Sequence, residues 1–199
     1  MKSFSGKFVL RVPPKLHEKL AKTAFKKGLS LNGFVTSLIK GANFSRCVLE
    51  GAFMAEIHAE GALFRGAQMD DIFFQRGFID GADFTGASLK DASIFMMRGE
   101  GAIFVNASLD DAKMLKCILE GATFKGASME NSSLKGSNII SCDFSEARLD
   151  NCDMRQVRSQ GAMFNGAATA GFLFYGKKPW GEAADKRDWS KELQVFNDD

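Results

Sequence analysis

Aromatic side chains that carry a polar atom are nearly missing from this sequence. Its 199 residues include nineteen phenylalanines but only one tyrosine and two tryptophans. Tyr175, Trp180 and Trp189 all lie in the last 25 residues. The middle of the chain is therefore expected to have an interior that accepts Phe and excludes rings that need a hydrogen-bond partner when buried.

Long apolar runs are missing as well. The sequence contains no stretch of 18 apolar residues, so it predicts no transmembrane helix and no membrane partner. The first six residues, Met1 to Gly6, lack the apolar segment of a secretory signal. We therefore expect a cytoplasmic protein.

Acidic residues are scarce at the N-terminus and abundant after it. Residues 1–40 contain nine Lys or Arg and one acid, residues 41–174 contain twelve bases and seventeen acids, and residues 175–199 contain five bases and six acids. Net charge is therefore +8 in the first part, −5 in the second and −1 in the third. A basic head on an acidic body predicts that the two parts face different partners.

A repeat dominates residues 41–174. Gly-Ala-x-Phe recurs every 20 residues, and from Phe44 to Phe164 nearly every fifth residue is large and apolar, without an insertion. The residues two positions before these are mostly small, and most glycines share a third register. Neither the helical period of 3.6 nor the strand period of 2 explains this spacing. The pattern predicts a square coil with one pentapeptide per side, large residues on the axis, and residues 20 apart stacked about 4.8 Å from each other.

The large residues predict four inward-facing columns. One consists entirely of phenylalanines, from Phe44 to Phe164 at 20-residue intervals. The fourth column contains several small residues, so this side is expected to pack less tightly. Its members are Ala59, Ile79, Gly99, Leu119, Ile139 and Ser159.

The segments Ala82-Asp83-Phe84-Thr85-Gly86 and Ala42-Asn43-Phe44-Ser45-Arg46 resemble the repeat of the pentapeptide-repeat family. The resemblance covers about two thirds of the chain. It implies a mainly β fold, a right-handed quadrilateral β-helix over residues 41–174. We expect residues 175–199 to form a C-terminal cap, in which Trp180 and Trp189 cover the last coil.

The same register argues against catalysis. All four cysteines fall in the small inward position, where a free thiol behaves as a small apolar group. The two histidines are isolated, and no metal-ligand spacing, phosphate loop or nucleophile motif occurs. A filled axis also leaves no cleft. We therefore expect no enzymatic activity, no cofactor and no metal site.

The first forty residues predict a strand, a helix and a second helix. A β-rich run over 8–12 precedes two prolines, a helix is expected over 15–27, and Gly28 would end it. The segment resembles the ribbon-helix-helix family, the Arc/MetJ-like repressors and antitoxins. That resemblance implies a homodimer whose paired strands enter the DNA major groove, with the second helix anchoring a phosphate. The implied DNA contacts are Lys7, Val9, Arg11, Ser30 and Asn32.

Three functions are compatible with these features. The first is a DNA-binding regulator, with a dimeric head on a solenoid that binds a protein partner. The second is a rod that imitates DNA and occupies a type II topoisomerase such as gyrase, as some pentapeptide-repeat proteins do. The third is a scaffold in which residues 1–40 only cap or dimerise the solenoid. An outward aromatic patch of Phe53, Phe73 and Phe78 is a candidate protein-contact surface in each case.

Overall fold

The computed structural model describes residues 14–28 and 38–174. Helix α1 spans Pro14–Lys26. Four short strands follow in one parallel sheet, in the order β1-β2-β3-β4. They are β1 (Phe53–Ala55), β2 (Phe73–Gln75), β3 (Ser93–Phe95) and β4 (Lys113–Leu115).

Residues 41–174 form a stack of square coils. Each coil pairs with the next through parallel bridges between residues 20 apart, such as Asn43 with Leu63 and Val48 with Gln68. We number the four faces in the order in which the chain passes them. Face 1 contains residues 42–46 and their equivalents at 20-residue intervals, and faces 2, 3 and 4 begin at residues 47, 52 and 57. The predicted pentapeptide coil is thus confirmed.

The corners of the coil explain why the repeat is five residues long. Every fifth residue from Gly41 to Gly171 has a positive φ, which makes one left-handed residue per corner. Thirteen of these residues are glycines and fourteen are not. None of the fourteen is β-branched and six are Asn or Asp, the side chains that tolerate this conformation best.

Phenylalanines fill the axis behind face 1. The rings from Phe44 to Phe164 stack in one unbroken column, with successive centroids between 4.8 and 5.2 Å apart. Phe64 through Phe144 are fully buried, whereas the ends of the column are slightly open. The predicted stacking of residues 20 apart is confirmed by these distances.

Face 4 packs as tightly as the others, so the expected loose fourth side is wrong. Where the axis residue is small, the residue two positions earlier is large, and the reverse also holds. The first two coils show the exchange, because Ile57 accompanies Ala59 whereas Gly77 accompanies Ile79, and all four are buried. In each coil, the combined volume of these two side chains is therefore kept, although residue size varies along each column.

Three of the four cysteines are buried in the small inward position, as predicted. Burial raises the pKa of the Cys117 thiol to about 11 and the pKa values of Cys142 and Cys152 to about 12. Cys47 is exposed, against expectation. It lies in the first coil, and no earlier coil is present among the described residues.

The buried thiols predict a loss of stability at alkaline pH. Because folding raises the thiol pKa above its ordinary value of 9.0 to about 11 or 12, the stability they contribute is complete below pH 9 and is lost as pH rises through the folded-state values. Denaturation at pH 8 and pH 10.5 should show this decline. The triple variant Cys117→Ala, Cys142→Ala and Cys152→Ala places alanine, the commonest residue of this register, at all three positions. Its free energy of unfolding should decline less between the two pH values. An equal decline in both proteins would contradict the assignment.

The helix expected over 15–27 is present as α1, displaced by one residue. Gly28 follows it with a φ of 67° and donates its N–H to the Phe25 carbonyl, which ends the helix as predicted. The strand expected over 8–12 and nearly all of the second helix lie outside the described residues. Ile39 is described and lies buried in the solenoid core. In the described part of the chain, no helix is long and apolar enough to cross a membrane.

Candidate functional site: two acidic edges and a flat apolar face

Acidic side chains are sorted onto two edges of the solenoid. The first acidic edge lies where face 2 turns into face 3, and the second lies where face 4 turns into face 1. Together they hold twelve of the seventeen acidic residues of 41–174. The first edge consists of Glu50, Asp70, Asp71, Asp91, Asp110, Asp111, Glu130 and Asp150, and the second of Glu60, Asp80, Glu100 and Glu120.

The two edges run along diagonally opposite corners of the square. The first edge extends over about 24 Å from Glu50 to Asp150, and the second over about 14 Å from Glu60 to Glu120, at ~4.8 Å per coil. Within residues 41–174, only one base, Lys90, lies in their columns. Counted without bases from outside these columns, the two edges together carry roughly one charge per 2 Å, against one per ~1.7 Å of duplex DNA. Ion pairs with Arg98, Arg148 and Lys40 lower this density. The 20-residue register separates the edges, whereas a net charge of −5 averaged over residues 41–174 conceals them.

Hydrogen bonds hold carboxylates of the first edge at fixed positions. Asp70 Oδ1 accepts the backbone N–H of Lys90 at 2.9 Å and the hydroxyl of Ser88 at 2.6 Å. Asp110 makes the same pair of bonds with Glu130 and Ser128 two coils later, at 3.0 and 2.5 Å. Each aspartate thus satisfies a backbone donor of the following coil, and its charge lies against face 2.

One carboxylate away from the edges, Asp83, is neutralised inside the chain. Asp83 is buried on face 1, accepts the Thr85 N–H at 2.9 Å, and receives Arg65 Nε at 2.6 Å. Burial alone would raise the Asp83 pKa, but the Thr85 hydrogen bonds and the Arg65 charge outweigh it and hold that pKa below its ordinary value. Asp83 therefore stabilises the coil and adds little to the outer field.

A smaller share of the carboxylates is paired with a base on the first edge than on the second. On the second edge, Arg98 lies 3.3 Å from Asp80 and 3.1 Å from Glu100, and Lys40 lies 3.5 Å from Glu60. On the first edge, Glu130 pairs with Arg148. Within residues 14–28 and 38–174, its three corner residues have no ion-pair partner; these are Asp71, Asp91 and Asp111.

The predicted aromatic patch divides between two faces. Phe53 and Phe73 stack on the outside of face 3 with centroids 4.9 Å apart, as expected for residues 20 apart. Phe78 lies on face 4, where it stacks on His58 at 4.7 Å. Face 3 gains Phe95, 5.8 Å from Phe73, which the sequence analysis did not include. The role of the patch in protein contact stays a prediction.

The predicted DNA contacts Lys7, Val9, Arg11, Ser30 and Asn32 all lie outside the described residues, so their role also stays a prediction. In the part of the chain that the structure describes, no group of three or more His, Cys, Asp or Glu side chains could hold a metal ion.

Comparison with solved structures finds other pentapeptide solenoids. Full-length QnrB1, a plasmid-mediated fluoroquinolone resistance protein, is 18% identical, with 80% of this chain and 91% of that chain covered and a TM-score of 0.36. A pentapeptide repeat protein of the Arabidopsis thaliana thylakoid lumen is 26% identical over 56% of this chain and 71% of its own, with a TM-score of 0.24. These scores are too low to transfer a function. Among proteins of curated function, none matches the sequence significantly.

Two family profiles match the sequence. The HicB family profile matches residues 1–39. This is not the ribbon-helix-helix family to which the sequence analysis compared the segment, so that assignment is not supported. The profile of pentapeptide repeats matches eight copies within 42–76, 102–139, 117–156 and 142–167, which together cover just over half of the chain. No catalytic family is indicated, and the chain belongs to the pentapeptide-repeat family.

Proposed function

We propose that this protein acts by binding another protein, and that its acidic edges occupy a groove that otherwise holds duplex DNA. The partner we favour is a type II topoisomerase such as gyrase. The observation that carries the proposal is the segregation of twelve acidic residues onto two opposite edges of the rod. This replaces the DNA-binding regulator as the leading hypothesis, because the solenoid surface offers a basic groove a better match than it offers DNA.

Fixed carboxylates support the proposal. A groove that binds phosphates gains most from charges already held in place, because no side-chain ordering is needed on binding. Asp70 and Asp110 meet this condition through their bonds to the following coil. Asp150 also accepts a backbone N–H, that of Ala170, at 2.7 Å. Three aspartates of one edge are thus preorganised along about 20 Å of the rod.

A supercoiling assay with purified gyrase tests the proposal. We expect the protein to inhibit supercoiling, or to protect the enzyme from a fluoroquinolone, and to lose potency as salt is raised. The triple variant Asp70→Asn, Asp110→Asn and Asp150→Asn retains the acceptor oxygens but removes three charges. It should need roughly tenfold more protein for the same effect, which corresponds to about 1.4 kcal/mol.

A matched variant shows whether position matters or only net charge. Glu56→Gln, Asp143→Asn and Glu146→Gln remove three acids that lie off both edges. This variant should keep its potency to within about twofold if the edges make the contact. Equal losses in the two triple variants, or no effect of the wild-type protein on the enzyme, would rule out the proposed function.

A further inference from the structure

Face 3 carries all four strands of the described sheet. It alone carries three-residue strands, β1 to β4, whereas the other faces are joined by isolated bridges. Flat sheet surfaces that expose apolar side chains are suited to packing against another sheet. Phe53 is 46% exposed on this face, and Phe73, Phe95 and Leu115 are half-buried. A cluster of this kind marks a contact surface.

The outward residues of the sheet form two columns in which size alternates. In each strand one outward residue precedes the buried central residue and one follows it. Phe53 and Phe73 in the first column lie beside the smaller or polar Ala55 and Gln75 in the second. One strand later the order reverses, because Ser93 is in the first column and Phe95 in the second. A copy that placed each column on its own equivalent in parallel would pair large residues with large ones, whereas either two-fold arrangement pairs large residues with small or polar ones. The direction of the second copy is therefore decided by the charges that border the face.

Charges of opposite sign border this face. The corner beside the first column carries Asp71 and Asp111, and the corner beside the second column carries Arg76 and Lys116. Among the described residues, none of these four has an ion-pair partner. The first coil departs from this pattern, because Gly51 and Glu56 occupy its two corners.

We propose that face 3 binds a second copy of this chain, with the two rods parallel and related by a two-fold axis that runs along them. This symmetry places the first column of one protomer over the second column of its partner. Large residues then meet small ones in the first three strands, and the acidic corner of each protomer meets the basic corner of the other. A two-fold axis across the rods would instead place acidic corners against each other.

The area of one face fits a reversible dimer. A surface about 30 Å long and one sheet wide is smaller than the ~800 Å² per partner of a standard interface. We therefore expect dissociation constants on the order of micromolar. The dimer uses Asp71 and Asp111 of the first acidic edge, but it can be tested separately from the topoisomerase hypothesis, because Asp70 and Asp110 are bound to Ser88 and Ser128 of face 2 and lie outside the interface.

A charge exchange tests the symmetry directly. Sedimentation of the full chain at 1 to 200 micromolar, as an order-of-magnitude range around that affinity, should show a monomer–dimer equilibrium. Asp71→Arg and Arg76→Asp, each alone, should weaken dimerisation about tenfold or more, because each places like charges together at two symmetric positions. The double variant should regain the wild-type constant to within about threefold.

Control substitutions use the same corner position on face 1. Arg46→Glu and Glu146→Arg also lie at left-handed corners, with φ values of 61° and 62°, and should leave dimerisation unchanged. The proposal is overturned by a chain that stays monomeric, by a dimer insensitive to both single variants, or by a double variant that is not restored. A dimer strengthened by Asp71→Arg alone would indicate antiparallel rods and would overturn it as well. Circular dichroism checks that each variant is folded.

Discussion

Replacing Phe104 with Ala should lower the free energy of unfolding by about 3 to 5 kcal/mol. Phe104 is fully buried, and its ring stacks on Phe84 and Phe124 at 4.8 Å on either side. The cavity left by the ring cannot close easily, because the backbone around it is bound to the coils before and after. Phe104 N–H, for example, donates to the Thr123 carbonyl at 2.7 Å.

Urea denaturation followed by circular dichroism measures this loss. Phe164→Ala, at the last described position of the column, should cost less, because Phe164 is 7% exposed whereas Phe104 is fully buried. Phe53→Ala, on the surface of face 3, should change stability by about 1 kcal/mol or less. If Phe104→Ala and Phe53→Ala had equal effects, the axial column would not be the main source of stability.

Gly77→Ala should destabilise the protein by about 1 to 3 kcal/mol or more, although alanine is the commonest residue of this register. A Cβ on Gly77 would lie 2.5 Å from the Ile57 carbonyl oxygen and 2.8 Å from Ile57 Cγ2. The nearest atom belongs to the backbone, which can move only by separating two coils. Gly77 is therefore required by space and not by a left-handed φ, unlike the corner glycines.

Gly99→Ala is the informative comparison for Gly77→Ala. A Cβ on Gly99 would meet the Ile79 side chain at 2.9 Å and the Leu119 side chain at 3.3 Å. Side-chain ends can rotate away, so this substitution should cost less than Gly77→Ala in the same denaturation assay. A larger loss at Gly99 would show that the coils separate more readily than the side chains rearrange.

The solenoid could be predicted from the sequence because its period is fixed by backbone geometry. One left-handed residue per corner leaves no freedom for insertions, so Phe44 and Phe164 keep the same phase across six coils. The looser packing expected for face 4 was wrong because the size of one column is offset by the size of the other. Ile57 is explained only together with Ala59, and Gly77 only together with Ile79, because each pair keeps the total side-chain volume.

Surface properties were harder to predict from the sequence. The register predicted that Phe53 and Phe73 point outward. It did not predict the three-residue strands that carry them, which form only on face 3 in the described part of the chain. The acidic edges were recoverable in principle, since Asp70 and Asp110 occupy equivalent positions two coils apart. Net charge alone concealed them, because bases on faces 1 and 3 cancel acids on faces 2 and 4.

The evenly spaced corners also determine how the protein can change in length. Deleting twenty residues, such as 101–120, would join Phe84 to Phe124 at the normal spacing and shorten the first acidic edge by Asp110 and Asp111. Deleting five residues would shift every later residue by one face. The later part of each acidic edge would then lie at a different corner from the earlier part. The rod can therefore be lengthened or shortened only by whole coils if the pattern of residues on its surface is to be kept.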